Sequence, residues 1–411
     1  MSDNSRDSDK AGSDNHSQQI HDGHGVRYAT LAATASHFLD VHSGALVPAI
    51  QPSTTFARDD QYQLINPAHG YARDDSPTYL AAERTLCDLE NAYECCLFSS
   101  GMAAIAAVIG SIGGTVGGAG HVLVPASVYW GVNAWLDNHV ANTGARISRY
   151  DNARPDSIGE RLMEFKDNGD KVDLLWIETP ANPLLYVTDI KAAAQLAHEV
   201  GAMVCVDSTT ATPVLTRPLD YVADLVVHSA TKYLNGHGDA LAGAVLTRED
   251  SPLWQSIRLH RGFAGSVPGN LEAWLLSRGM RTVYLRVDKA SANAMHIANM
   301  LESRQEVSVV HYPGLSSHAG HATARQQMSG GYGGLLSFEI KAGKEAALRF
   351  AGALNIISSA TSLGGTETLI EHRASVEPPG SGVPEGLLRL SVGIEHVEDL
   401  VNDLKQAFNN I

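Results

Sequence analysis

Apolar residues in this chain gather into short continuous runs separated by longer stretches of helical spacing. VDLLWIETPANP, AMVCVDSTT and ADLVVHSATK each carry a run that stops abruptly at polar residues. IKAAAQLAHEVG, between the first two, repeats its apolar positions at helical spacing and ends at Gly201. Runs without polar alternation bury both faces, so these strands belong to a parallel sheet covered by helices. Upstream, LAAERTLCDLENA predicts a helix from Tyr79 to Ala92. CLFSSGMAAIAAVIGSIG then reads as a strand, a Ser-Ser-Gly turn and an Ala-rich helix starting near Met102. The strand HVLVP leads into SVYWGVNAWL, which places Tyr129 at another strand-to-helix junction.

The flanks differ. Residues 1–25 are rich in Ser, Asp, Asn and His with almost nothing to bury, the composition of a disordered tail. His16, His21 and His24 match no defined metal spacing, and no metal site is expected. Residues 26–78, rich in turn formers, read as an extended arm. Residues 79–275 form the large domain and 276–411 a smaller C-terminal α+β domain, entered through an amphipathic helix from Thr282 to Leu301. In that domain SVVHYPG, LLSFEI and LRLSVGIE read as strands, KEAALRFAGAL and VEDLVNDLKQAF as helices, and TSLGGTETLIEHRASVEPPG as a loop.

At 411 residues, 44% hydrophobic and 18% charged, the composition is that of a globular protein, neither fibrous nor disordered overall. A formal net charge of -15 argues against nucleic acid or an anionic membrane as the main partner. No run is long enough to span a bilayer and the start has no apolar signal core, so a cytoplasmic protein is expected. Cys87, Cys95, Cys96 and Cys205 show no CxxC spacing and read as reduced thiols.

Three successive strands end in polar residues along one edge: Asn182, Asp207 and Lys232. Open α/β sheets bind ligands at the carboxyl ends of their strands. A lysine held dry there can lose its proton and form a Schiff base with an aldehyde, which points to pyridoxal phosphate; a solvated lysine is the competing reading. Asp207 would partner a protonated pyridine nitrogen, or cap a helix. Ser99, Ser100 and Gly101 before a helix make an anion nest, with Ser229 and Thr231 able to face the same phosphate. Tyr129 can stack on a flat ring or belong to the core. Arg389 lies in an apolar strand and needs a buried carboxylate, from the protein or from an amino-acid substrate. Tyr71 and Arg73 alternate on an extended segment that can reach an anion, or form part of a solvated loop.

The segments SSGM (99–102), ETPANP (178–183), VDSTTATP (206–213), HSATKYLNGHGD (228–239), SLGG (362–365) and RLSVGIE (389–395) closely resemble the Cys/Met-metabolism family of pyridoxal-phosphate enzymes, which includes cystathionine gamma-synthase and gamma-lyase, cystathionine beta-lyase and methionine gamma-lyase. The resemblance covers nearly everything after the tail. It implies a fold type I, aminotransferase-like architecture and a tetramer built from two close dimers with shared active sites. It also implies that Lys232 carries the cofactor, Asp207 pairs with its ring nitrogen, and Tyr129 stacks on the ring and assists proton transfer. Gly101, Met102, Ser229 and Thr231 would hold the phosphate, Tyr71 and Arg73 would reach it from the neighbouring subunit, and Asn182 would lie near the phenolic oxygen. Arg389, with Ser362 close by, would bind the substrate carboxylate.

The implied activity is gamma-elimination or gamma-replacement on a sulfur-containing or other gamma-substituted amino acid, of cystathionine gamma-synthase or gamma-lyase type. Methionine gamma-lyase-like and beta-lyase activities are the alternatives. Departures from the family pattern bear on that choice: Ser76 for Asn, Trp130 and Val132 within Tyr-Gly-Gly-Thr, Ser208 for Asn, Thr361 where cystathionine enzymes carry Glu, and Arg373 for the proline of His-Pro-Ala. Ser229-Ala-Thr-Lys232 also satisfies the S-x-x-K spacing of serine acylases, but that chemistry needs a helix-borne serine and a KTG-type partner motif, which the chain lacks.

Overall fold

A computed structural model describes residues 25–112, 120–378 and 381–411. The expected tail, with His16, His21 and His24, lies outside these residues except for Gly25, as does most of the glycine-rich turn before HVLVP.

The large sheet has seven strands: β1 Glu94–Phe98, β2 His121–Pro125, β3 Arg146–Tyr150, β4 Leu174–Glu178, β5 Met203–Asp207, β6 Leu225–His228 and β7 Gly243–Thr247. Their spatial order is β1-β7-β6-β5-β4-β2-β3, parallel except that β7 runs against both β1 and β6. Leu174, Trp176, Cys205, Leu225 and Val227 pack on one face against the helix Gly101–Gly110, while Leu175, Ile177, Val204 and Val206 pack on the other against the helix Ile190–Glu199. This two-sided burial is why the runs lack polar alternation; each fully buried Leu or Val contributes about 1.5–3 kcal/mol.

The second sheet contains β8 Val307–His311, β9 Leu335–Ile340, β10 Ser358–Ser359, β11 Leu369–His372 and β12 Leu387–Ser391, in the order β10-β11-β12-β9-β8. The helix Val283–Glu302 joins the cores. Its first half, with Val283, Val287 and Tyr284, packs into the core beneath the large sheet. Its second half, with Ala294, Ile297, Ala298 and Leu301, packs under the second sheet.

Two sequence expectations need correction. The stretch TSLGGTETLIEHRASVEPPG is not all loop, because Leu369–His372 pairs with Leu388–Ser391 as a strand. Gly364, Gly365 and Pro378 flank that strand, and Glu371, Arg373 and Glu377 are paired with one another or with Arg389 rather than facing solvent. The arm also begins with a helix, Tyr28–Thr34, whose Tyr28, Leu31 and Ala32 are buried in the core. Beyond it, residues 39–65 expose Leu39, Val41, Leu46, Val47, Ile50 and Ile65. No helix among the described residues is long and apolar enough to cross a membrane.

Candidate active site

The sheet edge supplies the first half of the site. Glu178 and Asp207 end β4 and β5 and lie in register with each other. Asp207 Oδ1 accepts the Thr209 N–H at 3.0 Å. Burial holds its carboxyl above the usual range, offset in part by the Thr209 hydrogen bonds and the neighbouring His228. Glu178 is 7% exposed, and its two oxygens accept the N–H groups of Tyr129 and Asn182, both at 3.0 Å. Burial, followed by the charge of Asp207, also raises its pKa. His228, ending β6, is fully buried and hydrogen-bonded to Glu90 at 2.6 Å.

Lys232 follows β6 by four residues and is only partly exposed. Its Nζ donates to Ser362 Oγ at 2.8 Å. Burial and then the Arg389 charge lower its pKa, against a smaller opposing effect of Glu371. Ser362 adopts φ 106°, a region that non-glycine residues rarely occupy, so the SLGG turn is held in place by its surroundings. One such constraint is contact with the lysine loop: a Cβ on Gly364 would lie 2.6 Å from Tyr233 N.

The second sheet supplies the other half. Arg389, 4% exposed on β12, donates from Nη1 to Asn182 Oδ1 at 3.1 Å and from Nη2 to the Ser362 carbonyl at 2.9 Å. The carboxylate that sequence required for it is Glu371, its register partner on β11, with Nη2 2.9 Å from Oε2. Arg373 joins the same Glu371 oxygen and also Glu377, giving a buried row Glu377–Arg373–Glu371–Arg389. Burial lowers the Arg389 pKa to about 10 despite Glu371. Burial works against the Glu371 charge, but the guanidinium groups help hold its pKa below the ordinary glutamate value.

On the remaining side, Gly101 opens the helix Gly101–Gly110 and Met102 follows it; Ser100 caps the helix by accepting the Ala103 N–H at 3.1 Å. Gly101 packs so closely on Ser229 that a Cβ would fall 2.7 Å from that residue's Cβ. The Thr231 hydroxyl is engaged with the Ala242 backbone, donating at 3.1 Å and accepting at 3.0 Å. Tyr129 stands 38% exposed at the start of the helix Trp130–Thr143, its ring 5.7 Å from that of Trp130.

The structure thus joins Lys232, Ser362, Arg389 and Asn182 by direct contacts and sets Asp207 on the adjoining strand end. It does not bring Tyr71 and Arg73 to them: both are exposed, with the guanidinium 5.1 Å from the phenol ring centroid and Arg73 Nε 3.9 Å from Asp74. Sequence reasoning missed two residues. Glu178 had a signal, an acid closing the apolar strand next to that of Asp207. Glu371 had a weaker one, an acid alternating with apolar residues inside a segment read as loop.

A helix-covered, mostly parallel sheet with a lysine and an acid at neighbouring strand ends, closed by a smaller sheet, is the fold type I architecture of pyridoxal-phosphate-dependent transferases. The profile of the family described as Cys/Met metabolism PLP-dependent enzyme matches residues 29–409. The chain belongs to that family. It is 38% identical over 384 residues to cystathionine gamma-synthase of Mycobacterium tuberculosis, covering 92% of this chain and 96% of the relative. It is 36% identical over 386 residues to L-methionine gamma-lyase of Treponema denticola, covering 90% and 93%. The solved cystathionine gamma synthase of Xanthomonas oryzae pv. oryzae in complex with aminoacrylate and cysteine superposes with a TM-score of 0.86 at 35% identity, over 93% of this chain and 98% of that one.

Proposed function

We propose that this family member binds pyridoxal 5'-phosphate at the Lys232–Asp207 edge and carries out gamma-elimination or gamma-replacement on a sulfur-containing amino acid of the cystathionine type. The carrying observation is the Lys232 Nζ contact with Ser362, whose carbonyl is hydrogen-bonded to Arg389. The residues fit the cofactor. Among the described residues no Lys or Arg forms an ion pair with Asp207, a part-buried acid whose carboxyl is held above its usual range by burial, so a protonated ring nitrogen would suit it as a partner. Gly101 leaves no room for a side chain between a helix start and Ser229, where its N–H and that of Met102 suit a phosphate.

When bound, the cofactor supplies an electron sink for charge developing at the substrate Cα. Asp207 would keep a proton on the ring nitrogen, and Asn182 would serve the ring's phenolic oxygen. Gly101, Met102, Ser229 and Thr231 would hold the phosphate, and Tyr71 and Arg73 of a neighbouring subunit would complete that grip. Arg389 and Ser362 orient the substrate carboxylate. Lys232, its pKa lowered by burial, takes the Cα proton at Nζ. Tyr129 would support the ring face and donate a proton to the departing gamma substituent. With a second proton lost from Cβ the gamma substituent departs; proton return to Cγ and hydrolysis at Cα to a keto acid and ammonia complete elimination, whereas addition of a thiol at Cγ completes replacement.

The exposed apolar side chains of residues 39–65 support an assembly of two close dimers that shares active sites. Buried, unpaired thiols at Cys95, Cys96 and Cys205 agree with work in the cytoplasm. The second reading, a lyase for methionine or another gamma-substituted amino acid, draws on Arg373, which joins the charged row beside Arg389. Incubating the cofactor-loaded protein with cystathionine, methionine, homocysteine, or O-acylhomoserine plus cysteine, and measuring keto acid and new thioether, separates these readings. Absence of both products from every substrate would refute the proposal.

A further inference from the structure

Arg389 faces the proposed substrate position already paired. Glu371 Oε2 is shared between Arg389 and Arg373, and Arg373 is itself shared between Glu371 and Glu377. All four side chains are 8% exposed or less, so their charges act on one another with little screening by solvent. Arg389 Nε is buried with no hydrogen-bond partner among the described residues. The arginine therefore retains a donor for a further acceptor.

Two carboxylates and two guanidinium groups leave the row neutral, and an arriving substrate carboxylate makes it an excess anion. How readily Arg389 accepts that anion depends on how firmly Glu371 already holds it, which in turn depends on Arg373. A proline at position 373, as in the family pattern, could not supply this second cation.

We propose that Glu371, Arg373 and Glu377 form a charge relay that sets the affinity of Arg389 for a substrate carboxylate, with Arg373 its adjusting member. The inference rests on the functional reading above in taking Arg389 as the carboxylate site. The three are positioning residues, acting on substrate through Arg389. The relay predicts the sign of each substitution. Arg373→Met leaves Glu371 wholly to Arg389 and makes the surroundings more negative, so carboxylate binding weakens. Glu377→Gln commits Arg373 to Glu371 and makes them less negative, so binding strengthens. Glu371→Gln removes the competitor itself, and binding strengthens further.

The test uses the cofactor-loaded enzyme and propionate, a plain carboxylate, with its dissociation constant read from the perturbation of the cofactor's visible absorbance. Substrate KM and kcat are measured alongside. Expected is a rise of roughly threefold or more for Arg373→Met and a fall for both glutamate variants, with KM following the same order and kcat changing less. Glu377→Gln, at the end of the row farthest from Arg389, provides the reading should Glu371→Gln fold poorly. Weakened binding in all three variants would mark the row as scaffolding and overturn the inference, even with turnover of the amino-acid panel intact. Sign-ordered propionate binding without turnover of any amino acid would support the relay while sinking the functional reading.

Discussion

The two halves of the site hold buried charge in opposite ways. At the large-sheet edge, Asp207 and Glu178 are adjacent acids with raised pKa values and no Lys or Arg ion-pair partner among the described residues. On the second sheet, Arg389 and Arg373 are matched by Glu371 and Glu377. A buried charge is costly until it is paired. The first half consequently suits a cationic partner from outside the chain, whereas the second pairs its charges within the chain and keeps Arg389 Nε for a further acceptor.

The largest expected effect breaks the first half outright: Lys232→Ala should abolish turnover and the cofactor's visible absorbance while leaving far-UV circular dichroism unchanged. Next, Asp207→Asn should lower kcat by about 100-fold or more yet raise the melting temperature of the cofactor-free protein, since it removes a part-buried acid with no Lys or Arg partner among the described residues. The opposite signs of those two readouts are the check, and a drop in both would mean that Asp207 is structurally paired after all.

The pH dependence should differ in sign between the halves. Asp207 and Glu178 have folded pKa values above their unfolded ones, so their stabilising contribution is full below about pH 4 and is lost as pH rises through the raised values. Glu371 is depressed, so its contribution is present above its unfolded pKa and lost as pH falls through the folded value. Melting curves across pH should show Asp207→Asn flattening the high-pH decline of the cofactor-free protein and Glu371→Gln flattening the low-pH one. Loading the cofactor should also suppress the high-pH decline. The smallest effect is expected at the rim, where Trp130 is 41% exposed. Trp130→Ala should leave stability within about 0.5 kcal/mol while shifting the kcat/KM ratio between thioether and ester substrates by roughly threefold.

Much of the large domain was legible because strands buried on both faces cannot hide their pattern. Runs such as Leu225–Val227 end where the sheet ends, and the next polar residues therefore mark its edge. Lys232 and Asp207 could be placed at that edge by counting alone. β11 was not legible: four residues between glycines and a proline carry too little periodicity to separate strand from loop. The helix Tyr28–Thr34 escaped for a similar reason, since seven residues give barely two turns of spacing.

By itself the sequence determined the sheet, its carboxyl edge, the lysine and acid at that edge, and the need of Arg389 for a carboxylate, because each is a local consequence of burial along a short stretch. The tertiary structure alone decided which carboxylate that was. Glu371 lies 18 residues from Arg389 along the chain, and only the antiparallel register of β11 on β12 sets them face to face. Pairing across a sheet depends on how strands assemble, which no single segment encodes.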